Sequence, residues 1–205
     1  MLYYHCYHLC AGIYSPLKAG SKYNFFLVSF ICIIARACTY NKPGDAKMKS
    51  TWKKIAPYVI SIAVALGVGA LSAFLTKDKM QEYAALNQPP LAPPGWLFPV
   101  VWTVLFILRG ISAALVWKTD STQRSDALVV YGTQLVVNFL WSIFYFNFNA
   151  RLLAFFWLIF LLLLVFLMTA KFARLSSVAA KLQIPYILWL LFAGYLNLAT
   201  YMLNR

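Results

Sequence analysis

From residue 55 onward the chain alternates long apolar stretches with short polar loops, and the stretches have the length an α-helix needs to cross hydrocarbon, about 20 residues. Helical spans are predicted at residues 55–75, 96–117, 127–148, 152–170 and 184–203. The fold class that follows is an all-α membrane protein, a bundle of five transmembrane helices. In the second span Trp96 and Trp117 bracket the apolar run, roughly 30 Å apart at a rise of 1.5 Å per residue, as aromatic residues at two membrane interfaces should be.

Within three spans the large and polar residues recur at helical spacing. Trp102, Phe106 and Arg109 share a face of the second, and Gln134, Asn138, Trp141 and Tyr145 a face of the third. In the fifth, Trp189, Ala193, Leu196 and Thr200 line up with Asn197 beside them. Polar groups in lipid are costly unless they meet one another or a cavity, so these faces should converge inward. For Gln134 and Asn138, interhelical hydrogen bonding and a pocket role both fit. Two bulky indoles away from the interfaces, Trp102 and Trp189, fit a pocket better. Arg109 is the charge set deepest in a span; snorkelling, a bond to carbonyls and pairing with a ligand carboxylate all remain open for it.

Other positions speak to packing. Ser61, Ala65, Gly69 and Ala73 form a stripe of small side chains on the first helix, suited to close approach by another helix, either of the same chain or of a second copy. The fourth helix, rich in Leu and Phe, is expected to face lipid. Between the first two spans Pro89, Pro90, Pro93 and Pro94 fix φ and hold the preceding residues extended, and Pro99 falls in the first turn of the next helix. A rigid lid over a pocket and a stiff connector are the two readings of that loop.

Composition agrees: 62% of residues are hydrophobic and 11% charged, with a mean hydropathy of +0.71, beyond the range of a soluble domain. The net charge of +13 does not argue for nucleic acid, because the Lys and Arg residues sit singly or in small groups beside apolar spans. Lys49, Lys53 and Lys54, then Lys118 and Arg124, then Lys171, Arg174 and Lys181 fall on one side. The positive-inside bias therefore predicts a cytoplasmic N-terminus, with the proline-rich loop and the C-terminus outside.

Residues 1–47 differ in kind. They hold all four cysteines (Cys6, Cys10, Cys32, Cys38), both histidines (His5, His8), and an apolar run at 24–35 too short to span comfortably. A signal-like segment ending near Ala35, a targeting extension, and a start of the fold at Met48 are the alternatives; the last is favoured, which makes 1–47 an extension outside the fold and 48–205 the membrane domain. The spacing of His5, Cys6, His8 and Cys10 fits no zinc template. No carboxylate falls in a predicted span, since Asp78, Glu82, Asp120 and Asp126 all fall in loops, so a proton relay of the usual pump type is not expected. Without His or Cys after Cys38, the membrane body lacks the usual haem ligands and Cys- or His-based nucleophiles, and a flat ligand would be held by stacking and apolar contact.

The segments QPPLAPPGWLFPVVWTVLF, QLVVNFLWSIFYFN and PYILWLLFAGYLN closely resemble the TspO/MBR family, which comprises tryptophan-rich sensory proteins and the mitochondrial translocator or peripheral benzodiazepine receptor. The resemblance implies a five-helix bundle, often a homodimer, in a cell membrane of bacterial type, whose pocket is capped by the first loop. It implies porphyrin as ligand with no resident cofactor, and in animal members sterol-like and benzodiazepine-type ligands. Carried over by position, the pocket comprises Tyr83 in the loop, Trp102, Gln134, Asn138, Trp141 and Trp189, with Ala193, Leu196 and Asn197 at its floor; the helical phase adds Phe106, Arg109 and Tyr145 as candidate ligand-binding residues, and the stiff loop adds Pro93 and Pro94. Arg109 falls where relatives are uncharged. The loop departs from the family at Leu91 and Glu82, where Trp is common. A sterol-type pattern at Leu198, Tyr201 and Arg205 is displaced from the animal site. Three functions stay open: a tetrapyrrole receptor or transporter; a light-dependent porphyrin-degrading activity in which Trp102 and Trp189 would be the catalytic residues; and a membrane scaffold.

Overall fold

In a computed structural model, residues 48–79, 82–83 and 85–205 are described; the expectations for residues 1–47 lie outside them. The chain is built from α1 (Met48–Thr76), α2 (Leu97–Trp117), α3 (Arg124–Ser142), α4 (Arg151–Leu175) and α5 (Ile184–Leu203). A 3-10 turn, Lys77–Lys79, follows α1, a π-helical turn, Ile143–Asn147, extends α3, and a short helix, Ser177–Lys181, joins α4 to α5. All five long helices are apolar and long enough to cross a bilayer. The fifth span begins where the sequence places it, and α1 begins seven residues before the expected position, at Met48 rather than residue 55. Asp126, expected in a loop, lies exposed in the first turn of α3, where a carboxylate favours the positive end of the helix dipole.

α1 packs along α2 and touches α3, while α4 packs between α3 and α5. Ser61, Ala65 and Gly69 of the small-residue stripe of α1 turn into the chain's own bundle, while Ala73 is exposed. Ala65 is fully buried, Gly69 meets the Phe106 ring of α2, and Gly110 of α2 lies against the backbone of Ile62. Backbones come this close only where side chains are small.

α4 faces outward over most of its surface, as expected of a lipid-facing helix, and adds one buried stripe. Ala154, Leu158, Leu161, Val165, Met168 and Phe172 recur every three or four residues and are buried against α3 and α5. Phe156, Phe160, Leu163 and Phe166 remain exposed to the bilayer on the other side. Residue type does not separate these faces, because Leu and Phe suit lipid and helix contacts equally. Trp157 fixes the α3–α4 pairing: its Nε1 donates to the Val137 carbonyl at 2.8 Å and its ring meets Phe144 edge-on at 4.9 Å.

α2 and α5 meet mainly through rings. Phe98 approaches Trp189 at 6.0 Å and Trp102 approaches Tyr186 at 6.3 Å, both near edge-to-face. At the basic end this seam is closed by a buried polar node. Ser112 Oγ donates to the Ala179 carbonyl at 2.7 Å and accepts from Gln183 Nε2 at 2.7 Å.

Candidate functional site

The loop from α1 to α2 is folded over the end of the bundle rather than projecting from it. Ala92 N–H donates to the Pro89 carbonyl at 3.1 Å, closing a tight turn in which Leu91 takes φ +68°, the sign a type II turn requires at its third position. Pro93 is half-buried and Pro94 exposed; the Pro94 carbonyl accepts from Leu97 N–H at 2.9 Å and leads the chain into α2. Tyr195 of α5 and Asn204, the residue that caps its C-terminus, hold this loop down. Tyr195 donates its hydroxyl to the Pro90 carbonyl at 2.7 Å. Asn204 Oδ1 accepts from Asn87 N–H at 2.9 Å while its Nδ2 donates to the Asn87 carbonyl at 3.0 Å.

Tyr83 is the loop residue that turns inward. Its ring packs on Phe98 at 6.3 Å, Tyr145 at 6.0 Å and Phe146 at 5.9 Å, and burial pushes its hydroxyl above the ordinary tyrosine pKa of 10.0. Beside it the Glu82 carboxyl lies below the usual carboxylate range because Lys79 hydrogen-bonds and pairs with it at 2.6 Å. The cleft between Lys79, Tyr83, Tyr145, Asn149 and Arg151 holds about 10 Å³, room for a single water. A flat ligand therefore enters from this end only if Tyr83 withdraws.

Beneath Tyr83 the rings continue inward. Tyr145 stacks on Trp141 at 5.3 Å and 22°. Its position depends on the π-helical turn, where Phe148 N–H donates five residues back to the Ile143 carbonyl and so rotates the end of α3 relative to an α-helical course. Asn149, with φ +51°, ends the segment; asparagine tolerates that region better than most residues. On α2 Trp102 packs on Phe106 at 5.7 Å and on Tyr186. Trp189 sits apart from Trp102, on the α2–α5 seam, between Phe98 and Phe192. There it borders an apolar groove of about 460 Å³ with Val100, Val104, Leu188 and Phe192.

Deeper in the bundle Arg109 is fully buried. It does not snorkel. Nη2 donates to Gln134 Oε1 at 3.0 Å, and the guanidinium lies 4.2 Å from the Tyr186 ring centroid and 4.8 Å from that of Phe106. Tyr186 also donates to Gln134 Oε1 at 3.4 Å. An arginine at mid-span costs about 2.5–3.5 kcal/mol on insertion scales, and a ring face returns about 0.5–2 kcal/mol. With a second ring face and the bond to Gln134 the cost is largely offset, while Nε and Nη1 keep no acceptor among the described residues.

Asn138, Leu196 and Asn197 are buried, and Ala193 nearly so. Side-chain atoms of Asn138, Trp141, Trp189, Asn197 and Thr200 lack hydrogen-bond partners among the described residues. Phe98, Tyr186, Tyr195 and Asn204 were not foreseen. Phe98 and Tyr186 lie one turn beyond the recognised faces, four residues before Trp102 and three before Trp189, so the same helical phase reaches them. No local signal marks Tyr195 or Asn204.

The sequence profile of the TspO/MBR family matches residues 60–203. The chain is 36% identical over 157 residues to the tryptophan-rich protein TspO of Chlorobaculum tepidum, covering 74% of this chain and 98% of that one. It is 37% identical over 151 residues to the tryptophan-rich protein TspO of Archaeoglobus fulgidus, covering 73% and 98%. To the human translocator protein it is 33% identical over 144 residues, covering 67% and 83%. Five membrane-spanning helices, the proline-rich loop folded over them and these matches together make the chain an integral membrane protein of the TspO/MBR family.

Proposed function

We propose that the chain is a membrane receptor or carrier for a tetrapyrrole, bound between α2, α3 and α5 beneath the loop that carries Tyr83. The observation that carries this reading is the aromatic cluster under the loop, in which Tyr83 packs on Phe98 and Tyr145, Tyr145 stacks on Trp141, and Trp102 packs on Phe106 and Tyr186. Rings offered edge-on and face-on suit a flat conjugated ligand, which gains from stacking as well as from leaving water. Unpartnered polar atoms on the same helices, of Asn138, Trp141 and Asn197, would supply a few oriented contacts, the usual composition of a small-molecule site. The groove at Trp189 offers such a ligand a way in from the bilayer.

The test is a titration of the detergent-purified full-length protein with protoporphyrin IX in the dark, followed by tryptophan quenching. Saturable binding is expected. Trp102→Leu should weaken it by about 1–3 kcal/mol, the usual worth of a stacked aromatic face. Trp96→Leu, at the exposed start of α2, should leave it unchanged. Absence of saturable binding, or equal effects of the two substitutions, would rule out this site for tetrapyrroles and leave the scaffold reading.

A further inference from the structure

Arg109 and its neighbours form a cluster with a surplus of hydrogen-bond donors. The guanidinium Nε and Nη1 and the Gln134 amide nitrogen are buried without an acceptor among the described residues, and so is the hydroxyl of Tyr131, one turn before Gln134 on α3. The one strong acceptor close by, Gln134 Oε1, is already shared by Arg109 and Tyr186. Asn138 Oδ1 is an unpartnered acceptor one turn further along, but a neutral amide oxygen does not balance a charge. No Asp or Glu of the described residues lies in the membrane interior, since Asp78, Glu82, Asp120 and Asp126 are all exposed at its edges. A buried cation whose Nε and Nη1 have no acceptor among the described residues, and whose partners are one neutral amide and two rings, is suited to receive an anion.

We propose that Arg109, positioned by Gln134, Phe106 and Tyr186, is the specificity residue that takes a carboxylate of the ligand, so that the site selects acidic macrocycles over their neutral forms. The inference rests on the tetrapyrrole reading and deepens it. Arg109 lies seven residues along α2 from Trp102, roughly 10 Å at 1.5 Å per residue, a reach that matches a flat macrocycle bearing short acidic side chains. The Phe106 and Tyr186 rings hold the guanidinium at 4.8 and 4.2 Å, and its Nε and Nη1, the pair that makes a bidentate contact with a carboxylate, have no acceptor among the described residues.

The full-length protein would be titrated with protoporphyrin IX and with its dimethyl ester, which has the same macrocycle without the carboxylates. The diacid should bind at least about tenfold more tightly, the usual return from a hydrogen bond to a charged group. Arg109→Gln should weaken the diacid alone and bring the ratio near one, and Arg109→Lys should keep part of the preference. Equal binding of acid and ester to the unsubstituted protein overturns the inference while the tetrapyrrole reading stands. A preference that survives Arg109→Gln overturns it as well. Binding of neither compound removes the tetrapyrrole reading and the inference together. The comparison within the unsubstituted protein needs no variant to fold, so it decides the matter alone if Arg109→Gln does not.

Discussion

Asn204 holds Asn87 by both of its backbone groups, accepting from the N–H at 2.9 Å and donating to the carbonyl at 3.0 Å across 117 residues of sequence. The pair ties the loop over the site to the last turn of α5, and the tie is polar and exposed, so it opens without disturbing the buried core. Asn204→Ala should remove about 1–2 kcal/mol of loop closure. Amide hydrogen exchange in residues 85–95 should then rise several-fold while the thermal midpoint in detergent hardly moves. Unchanged exchange there would show that Tyr195 and Tyr83 hold the loop without it.

Tyr83 gives the loop a pH limit. Because burial raises its pKa above 10.0, the closed state binds the phenolic proton more tightly than the open state does. Closure is therefore complete below pH 10.0 and is lost as pH rises through the elevated value. Lys79 and Arg151 line the same cleft, and burial is the cause of the upward shift. Loop opening, read from a fluorophore attached to the loop, should rise above pH 10.0 in the unsubstituted protein. Tyr83→Phe should lack that component, and an identical alkaline rise in both would assign it to other groups.

Much of the fold was legible because membrane helices declare themselves by length, and the inward faces because polar residues in lipid keep a helical period. Arg109 and Gln134 were each placed on the correct face, yet their bond was not foreseeable, since nothing in a single sequence sets the relative height of two helices. The buried stripe of α4 escaped for a different reason. Leu161 and Val165 pack in the core while Leu163 and Phe166 meet lipid, and hydrophobicity is silent on that difference. The π-helical turn that places Tyr145 is likewise unannounced, because Ile143–Asn147 continue the apolar pattern of α3.

The node at Ser112 predicts non-additive energetics. Ser112→Ala leaves the Gln183 amide nitrogen and the Ala179 carbonyl without their partner, a loss of about 0.6–1.7 kcal/mol by measurements on interhelical hydrogen bonds. Gln183→Leu removes one of the groups so orphaned. The double substitution should therefore destabilise the protein by less than the sum of the singles in detergent unfolding. Simple additivity would mean that the two side chains act independently.

Gly67 and Gly110 separate helix packing from helix propensity. Both lie inside long helices, so Gly→Ala carries the same favourable backbone term at each, about 0.5–1 kcal/mol. They differ in what a Cβ would meet. At Gly67 there is nothing within 4 Å, whereas at Gly110 the new carbon would lie 2.6 Å from the Ile62 Cα and 2.9 Å from its backbone nitrogen. A backbone cannot swing aside as a side chain can, so α1 and α2 must separate, at a cost of about 1–3 kcal/mol. Gly67→Ala should accordingly raise the thermal midpoint slightly and Gly110→Ala lower it. Equal shifts would mean that α1 and α2 are not in close contact in the membrane, and the small residues of both helices would need another partner.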